Sequence, residues 1–173
     1  MSPSFSTALP IAYVLLRILV VLNWLVGAAI LTLLVVMPNR EWIMSALDLT
    51  PGVEAERIVW GLRVIAIVGL VTIPINHAIL KRLLAMVGTV RAGDPFVAAN
   101  AYRLNAIAWF LLALQLLGLL IAVIAWIIST KAHPIEIDGT SSLSGWLAVL
   151  LTFVLARVFA EGTFMREDLD GTV

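Results

Sequence analysis

The chain has 173 residues, of which 62% are hydrophobic and 13% charged, and its 11 basic and 11 acidic residues cancel. A soluble domain is about half apolar and about one quarter charged, so this composition excludes a soluble globular protein and indicates one whose solvent is lipid. Zero net charge provides no field that attracts nucleic acid, and no direct nucleic-acid binding is expected. The chain has no cysteine, which excludes disulfides and thiolate-bound metal.

Four apolar runs are each long enough to cross a bilayer, which requires about 20 helical residues. They cover residues 9–37, 58–80, 106–129 and 143–164. Each must be helical, because a lone open strand would leave backbone groups unpaired in lipid. The sequence therefore predicts an all-α, polytopic membrane protein, a four-transmembrane-helix bundle in which residues 1–173 form a single domain. Ser144 is expected to cap the fourth helix, and a short interfacial helix is expected within Asn39–Arg57.

Lys and Arg are distributed unequally between the two ends of these spans. Seven lie on the side that holds both termini and the connection between the second and third spans, and four lie on the other side. Because cytoplasmic loops carry the excess of Lys and Arg, both termini are expected in the cytoplasm. Tryptophans then gather near the outer interface, as in an aromatic belt; they are Trp42, Trp60, Trp126 and Trp146.

The connection between the second and third spans carries the most specific pattern in the chain, Gly93-Asp94-Pro95. Gly93 is expected to end one helix, Asp94 to cap the next, and Pro95 to occupy its first position. A helix from Pro95 to Ser129 would be about 52 Å long, which exceeds the thickness of a bilayer. The second and third spans are therefore expected to extend into a cytoplasmic hairpin.

Polar and aromatic groups follow this turn at helical spacing. Phe96, Asn100 and Arg103 are expected to share one helix face, which could contact a partner. The alternative is a hairpin packed on itself, with Phe96 as its core residue.

Other polar residues fall at a similar depth in the remaining spans; they are Arg17, Asn76, His77, Arg157 and Glu161. Arg157 and Glu161 are spaced to form a pair. Because Arg17, Arg103 and Arg157 share only that one acid within the spans, they predict a pocket for an anion, such as a lipid phosphate or a carboxylate. Alternatively, Arg17 and Arg157 extend to lipid head groups, and His77 is a satisfied interfacial histidine.

The C-terminal stretch is acidic, with Glu167, Asp168 and Asp170 following Arg166. Three interpretations remain open for it. It could fold back onto basic residues of the connection, which are Lys81, Arg82 and Arg91. It could stay free as a peptide for a soluble partner, or it could be a solvated tail that ends a helix.

No metalloprotease, P-loop, nucleophile-elbow or dinucleotide-binding motif is present in the sequence. The two histidines, His77 and His133, are expected on opposite sides, which argues against a metal site. The sequence thus predicts a non-enzymatic protein without a cofactor. Glu161 with His77 is the one pair that a membrane enzyme could use.

Two blocks and the acidic ending resemble a known family. They are Asp94-Pro95-Phe96-Val97 with Asn100, Arg103 and Leu104; Ala156-Arg157-Val158-Phe159 with Gly162; and Glu167-Asp168-x-Asp170-x-Thr172-Val173. They resemble the bacterial membrane family known as domain of unknown function 2975, over essentially the whole chain. The resemblance implies a small four-span inner-membrane protein without an established activity. Genes of such proteins often lie beside one for a small helix-turn-helix regulator, which implies a signalling or regulator-tethering role.

The leading hypothesis is therefore a non-enzymatic inner-membrane protein that binds or tethers a cytoplasmic DNA-binding regulator. The candidate binding residues are Asp94, Phe96, Asn100, Arg103, Arg157, Glu161, Glu167, Asp168 and Asp170. The alternative is a binding protein or transporter for an anionic lipid or small amphiphile, through a pocket of Arg17, Arg103 and Arg157 that Asn76 and His77 could also line. The bilayer and a second copy of the chain are the remaining candidate partners.

Overall fold

The computed structural model describes residues 3–36, 40–48, 52–129 and 142–170, and within these ranges every regular element is a helix. The helices are α1 (Pro3–Val36), α2 (Arg40–Ala46), α3 (Val53–Arg91), α4 (Ala98–Ile128) and α5 (Leu143–Asp170). Four are long and apolar enough to cross a membrane, over Leu9–Val35, Val53–Arg91, Ala98–Ile128 and Leu143–Arg166. The predicted fold, an all-α polytopic membrane protein with four spanning helices, is confirmed.

The long helices pack in their order along the chain. α1 lies against α3, α3 against α4, and α4 against α5, while α2 lies on α3. Within the described ranges α1 and α5 have no close backbone contact, so the four-helix bundle is an open row. Tyr13 of α1 contacts Arg91 of α3, and Asp94 contacts Arg166 of α5. We call this end of the bundle the connection end, because it holds the α3–α4 connection, residues 92–97.

The two central helices are longer than a perpendicular crossing requires. α3 has 39 residues and α4 has 31. At 1.5 Å per residue these correspond to about 58 Å and about 46 Å, against a hydrocarbon core of about 30 Å. α3 continues through Pro74, although a proline inside a helix removes one backbone hydrogen bond. The amide Nδ2 of Asn23 in α1 donates to the adjacent Ile73 carbonyl at 3.1 Å, which attaches α1 to α3.

Glycines allow close approach between neighbouring helices at two places. A Cβ atom at Gly27 of α1 would lie 3.1 Å from Cγ2 of Ile73 in α3. A Cβ atom at Gly61 of α3 would collide with the side chain of Ile128 in α4. Ile128 is almost fully buried, so it has little room to move away. The α3–α4 contact at the end opposite the connection therefore requires the absence of a side chain at Gly61.

The short helix expected between the first two spans is present as α2. Its Ile43 is 2% exposed, and Met44 packs against a buried pair on α3, Ala55 and Ile58. This contact holds α2 against the first turns of α3. The helix is followed by Asp48 in a left-handed conformation, with φ of 50°.

The start of α5 differs from the sequence-based expectation. Ser144 was expected as the cap, but Ser142 occupies the cap position, immediately before Leu143. The Oγ atom of Ser142 accepts a hydrogen bond from the Gly145 backbone N–H at 3.1 Å. Ser142 and Ser144 are both residues of a type that caps helices, and the hydrogen bond to Gly145 shows that Ser142 is the cap.

We expect Gly61→Ala to destabilise the protein by about 1–3 kcal/mol, because the added methyl group overpacks the Ile128 contact. Thermal unfolding of the purified protein in detergent measures this effect. Gly88→Ala in the same helix is the matched control, since a Cβ atom there would meet nothing within 4 Å. The control should be neutral or stabilising by up to about 1 kcal/mol. Equal effects of the two substitutions, or an unchanged effect of Gly61→Ala in an Ile128→Ala background, would contradict the packing argument.

Candidate functional site

The turn at the connection end is built around Gly93, as the sequence predicts. Gly93 has a φ of 86°, a left-handed conformation in which an L side chain is strained. Its N–H donates to the Val90 carbonyl at 3.1 Å, and the Asp94 N–H donates to the Thr89 carbonyl at 3.0 Å. This pair of bonds is the Schellman arrangement, which satisfies the last carbonyls of α3 and reverses the chain.

The start of α4 differs from the prediction. The helix begins at Ala98, with Val97 at the cap position in an extended conformation and without a side-chain cap bond. Asp94 is therefore not the cap, and Pro95 is not the first helical residue. The residue before a proline is biased away from the helical conformation, which favours an extended connection over an immediate second helix.

Asn100 joins the three parts of this turn. It is 1% exposed, and its Nδ2 donates to Thr89 Oγ1 at 2.7 Å and to the Pro95 carbonyl at 2.9 Å. Its Oδ1 accepts from Nη1 of Arg103 at 2.7 Å. Both amide hydrogens and the oxygen are thus used inside the protein. Asn100 therefore positions the site, whereas the half-buried Arg103 lies closer to its surface.

Phe96 is 44% exposed and packs on α5. Its ring centroid lies 5.3 Å from that of Phe159, with an interplanar angle of 32°. A Cβ atom at Gly162 would be 3.4 Å from Cδ1 of Phe96, so the glycine leaves the surface of α5 flat where the ring lies. The alternative interpretation of Phe96 as the core of a self-packed hairpin is corrected by this contact with another helix.

Asp94 forms an ion pair with Arg166 near the end of α5. Their side chains are 44% and 49% exposed, so water screens the pair and its contribution to stability is small. Its structural consequence is clearer: the acidic residue of the connection and the last described side chain of α5 lie side by side. Phe159, Gly162 and Arg166 are spaced at i, i+3 and i+7, which places all three on the face of α5 that meets the connection.

Arg157 and Glu161 form the predicted pair on the part of α5 that precedes Arg166, with Nη2 of Arg157 2.7 Å from Oε1 of Glu161. Both side chains are exposed. Arg157 also lines an open cleft of about 370 Å³ between α4 and α5, together with Tyr102, Asn105 and Phe153.

Helix α5 continues through Asp170, so the acidic stretch is helical as far as that residue. The side chains of Glu167, Asp168 and Asp170, and residues 171–173, lie outside the described part of the structure. The predicted contact of these acids with Lys81, Arg82 or Arg91 falls on these side chains and so lies outside the described residues.

The remaining candidates lie elsewhere in the row of helices. Nη2 of Arg17 donates to the hydroxyl of Tyr13 at 2.8 Å. Asn76 lines a cavity of about 470 Å³ between α1, α3 and α4. Nδ1 of His77 accepts from Nε1 of Trp24 at 3.3 Å, which supports the interpretation of a satisfied histidine.

The arginines predicted to share one pocket have separate surroundings. Arg17 lies on α1 and Arg157 on α5, at the two edges of the row, and these helices have no close contact in the described ranges. Arg103 lies between them and contacts Asn100. The three arginines lie at a similar depth along their spans, but they are not close to one another because the helices form an open row. The single three-arginine pocket is therefore corrected to three separate positions.

A family model described as a protein of unknown function (DUF2975) matches residues 48–173. The chain belongs to this family. The predicted resemblance is thereby confirmed, although the DUF2975 match starts at Asp48 and leaves out α1 and α2. It includes α3, α4, α5 and the whole contact between the connection and α5. No curated protein and no solved structure matches the chain.

We expect Asn100→Ala to lower the stability of the protein by about 2–3 kcal/mol, because it leaves buried partners without hydrogen bonds. Thermal unfolding in detergent provides the measurement. Asn105→Ala, one turn further along α4, is the control because Asn105 is exposed. If Asn100→Ala unfolds at the same temperature as Asn105→Ala, the amide network does not hold the connection.

Proposed function

We propose that this protein lies in the bacterial inner membrane with both termini and the connection end in the cytoplasm, and that this end binds a small, basic, DNA-binding regulator. The observation that carries the proposal is the contact between the connection and α5. Asp94 with Arg166, and Phe96 with Phe159, join two segments that are distant in sequence into one surface. Both segments hold residues that the sequence analysis selected as binding candidates.

The charge at the end of α5 supports binding rather than helix stability. Glu167, Asp168 and Asp170 fall in the last turns of the helix, and its last turn has no basic residue. The C-terminal end of a helix carries partial negative charge, so acidic residues there are unfavourable. Local choices that reduce stability are expected at functional sites. A partner with basic side chains would compensate this concentration of negative charge.

A DNA-binding regulator has the required chemistry. Such proteins carry clustered Lys and Arg that contact phosphates. Carboxylates at the end of α5 would attract the same basic surface and speed its association. A regulator held there could not place that surface on DNA at the same time, so tethering would also withhold it from its operator. This mechanism needs no catalytic group in the membrane protein.

The proposed orientation predicts the labelling of single cysteines, and the natural chain contains none. Ala92 lies in the connection and is exposed, whereas Val53 at the start of α3 is 87% exposed at the opposite end. In right-side-out spheroplasts, a membrane-impermeant maleimide should label Val53→Cys and spare Ala92→Cys until the membrane is opened. The reverse pattern would place the connection end outside the cell and end the proposal.

Reversing the charge of the three acids at the end of α5 should weaken partner capture by about tenfold or more. Each exposed charge is expected to contribute about 0.5–1 kcal/mol to the binding free energy. The variant is Glu167→Lys, Asp168→Lys, Asp170→Lys. Because basic residues suit a helix C-terminus, the change should not destabilise α5, which separates binding from folding. The measurement is co-precipitation from solubilised membranes, with the captured helix-turn-helix protein identified and quantified by mass spectrometry.

The control for that experiment is Glu41→Lys with Glu54→Lys, two exposed acids in the first turns of α2 and α3 at the opposite end. It should leave capture unchanged. Capture by the wild type should also fall as salt is raised. Capture of a helix-turn-helix protein that survives both the triple reversal and the combination of Asp94→Ala with Arg103→Ala would refute binding at this surface.

A further inference from the structure

Two arginines from different helices converge on one tyrosine at the edge of the row. The guanidinium carbon of Arg17 lies 4.9 Å from the ring centroid of Tyr13 on the same helix, and that of Arg91 in α3 lies 5.3 Å from it. The two guanidinium carbons are therefore within about 10 Å of each other. Both arginines are exposed, while Tyr13 is half-buried between α1 and α3.

Within the part of the chain that the structure describes, this cluster holds two positive charges and no acidic partner. Among the described side chains, the ion pairs at this end of the bundle join Asp94 to Arg166 and Glu161 to Arg157, and neither includes Arg17 or Arg91. Two like charges at this separation repel one another, and an anion between them would turn repulsion into attraction.

The hydrogen-bond donors of the cluster are suited to a phosphate group. The Tyr13 hydroxyl accepts from Nη2 of Arg17 at 2.8 Å, which leaves its own hydrogen available for donation. The guanidiniums of Arg17 and Arg91 each have several N–H groups, arranged to contact two oxygens of one anion. Three side chains thus offer donors close to one tyrosine ring at the surface.

The surface beside this cluster is apolar. Arg17 lies at one end of a groove of about 340 Å³ that follows α1 along Ile18, Val21, Leu22 and Leu25. A soluble phosphate would make no use of this groove. A phospholipid would use both parts, because its phosphate and its acyl chains are joined in one molecule.

We infer that Tyr13, Arg17 and Arg91 bind the phosphate of an anionic phospholipid, with an acyl chain of that lipid lying in the groove along α1. The two positive charges favour a lipid without a compensating ammonium group, such as phosphatidylglycerol. This site is independent of the proposed partner-binding surface. It lies on the α1 edge of the row, whereas the partner-binding surface is formed by the connection and α5.

The test is native mass spectrometry of the purified protein in detergent, equilibrated with equal amounts of phosphatidylglycerol and phosphatidylcholine that have the same acyl chains. The wild type should retain phosphatidylglycerol preferentially. Arg17→Gln and Arg91→Gln should each reduce that retention about fivefold, as expected for one basic residue at an anionic lipid surface. Arg17→Lys and Arg91→Lys, which keep the charge, should retain much more of it.

The matched control is Arg157→Gln, which removes an exposed arginine from a similar depth on α5. It should leave retention of phosphatidylglycerol unchanged. Equal loss in Arg157→Gln and Arg91→Gln would show a general effect of charge and overturn the site. Unchanged retention in the double variant Arg17→Gln, Arg91→Gln would do the same. Equal helical content of this variant and the wild type by circular dichroism shows that a loss of retention is not a loss of fold.

A competition experiment separates the two sources of phosphate. Millimolar inorganic phosphate should not displace phosphatidylglycerol, because it cannot occupy the groove. Displacement by inorganic phosphate would assign the site to a soluble anion and would overturn the inference that it binds a phospholipid. Capture of the regulator should be retained in Arg17→Gln, so failure of this site and failure of the proposed function give different results.

Discussion

One buried amide, that of Asn100, holds the connection end together. Its hydrogens reach Thr89 in α3 and the Pro95 carbonyl in the connection, and its oxygen accepts from Arg103 in α4. A polar group that is 1% exposed must find all its partners within the protein, so it allows few alternative arrangements of its neighbours. With the left-handed turn at Gly93, this network fixes how α3 is joined to α4.

The position of α5 at this end follows from that fixed turn. α5 is linked in sequence to the opposite end of α4, so it reaches the connection through side-chain contacts. The Trp109 and Phe153 rings meet edge to face, with centroids 5.4 Å apart, and further along Phe96 meets Phe159. These aromatic pairs provide more apolar contact than the exposed ion pair that follows them. The ion pair adds specificity to this contact, since it requires Asp94 of the connection to lie beside Arg166 of α5.

The spans and the Gly93 turn could be predicted from the sequence because each depends on a local property. A span needs length and hydropathy, and a left-handed turn favours glycine. The hydrogen-bond partners of Asn100 could not be predicted in the same way. Helical spacing places Asn100 and Arg103 on one face of α4, but it does not identify the residues that this face contacts. The prediction that Arg17 and Arg157 line one pocket was wrong for a related reason. Sequence position gives depth along a helix, whereas proximity across the bundle depends on helix order, which hydropathy does not encode.

The same turn separates two edges of opposite chemistry. Arg91 ends α3 and meets Tyr13 on the α1 edge, while Asp94, three residues later, meets Arg166 on the α5 edge. The chain reverses between them at Gly93. Arg91 and Asp94, which are near in sequence and opposite in charge, therefore contact different helices instead of each other. An anionic lipid at the α1 edge and a basic protein at the α5 edge would therefore contact different helices at the same end of the bundle. The buried amide of Asn100 contacts both ends of the segment that carries the two charges, because it donates to Thr89 before Arg91 and to the Pro95 carbonyl after Asp94.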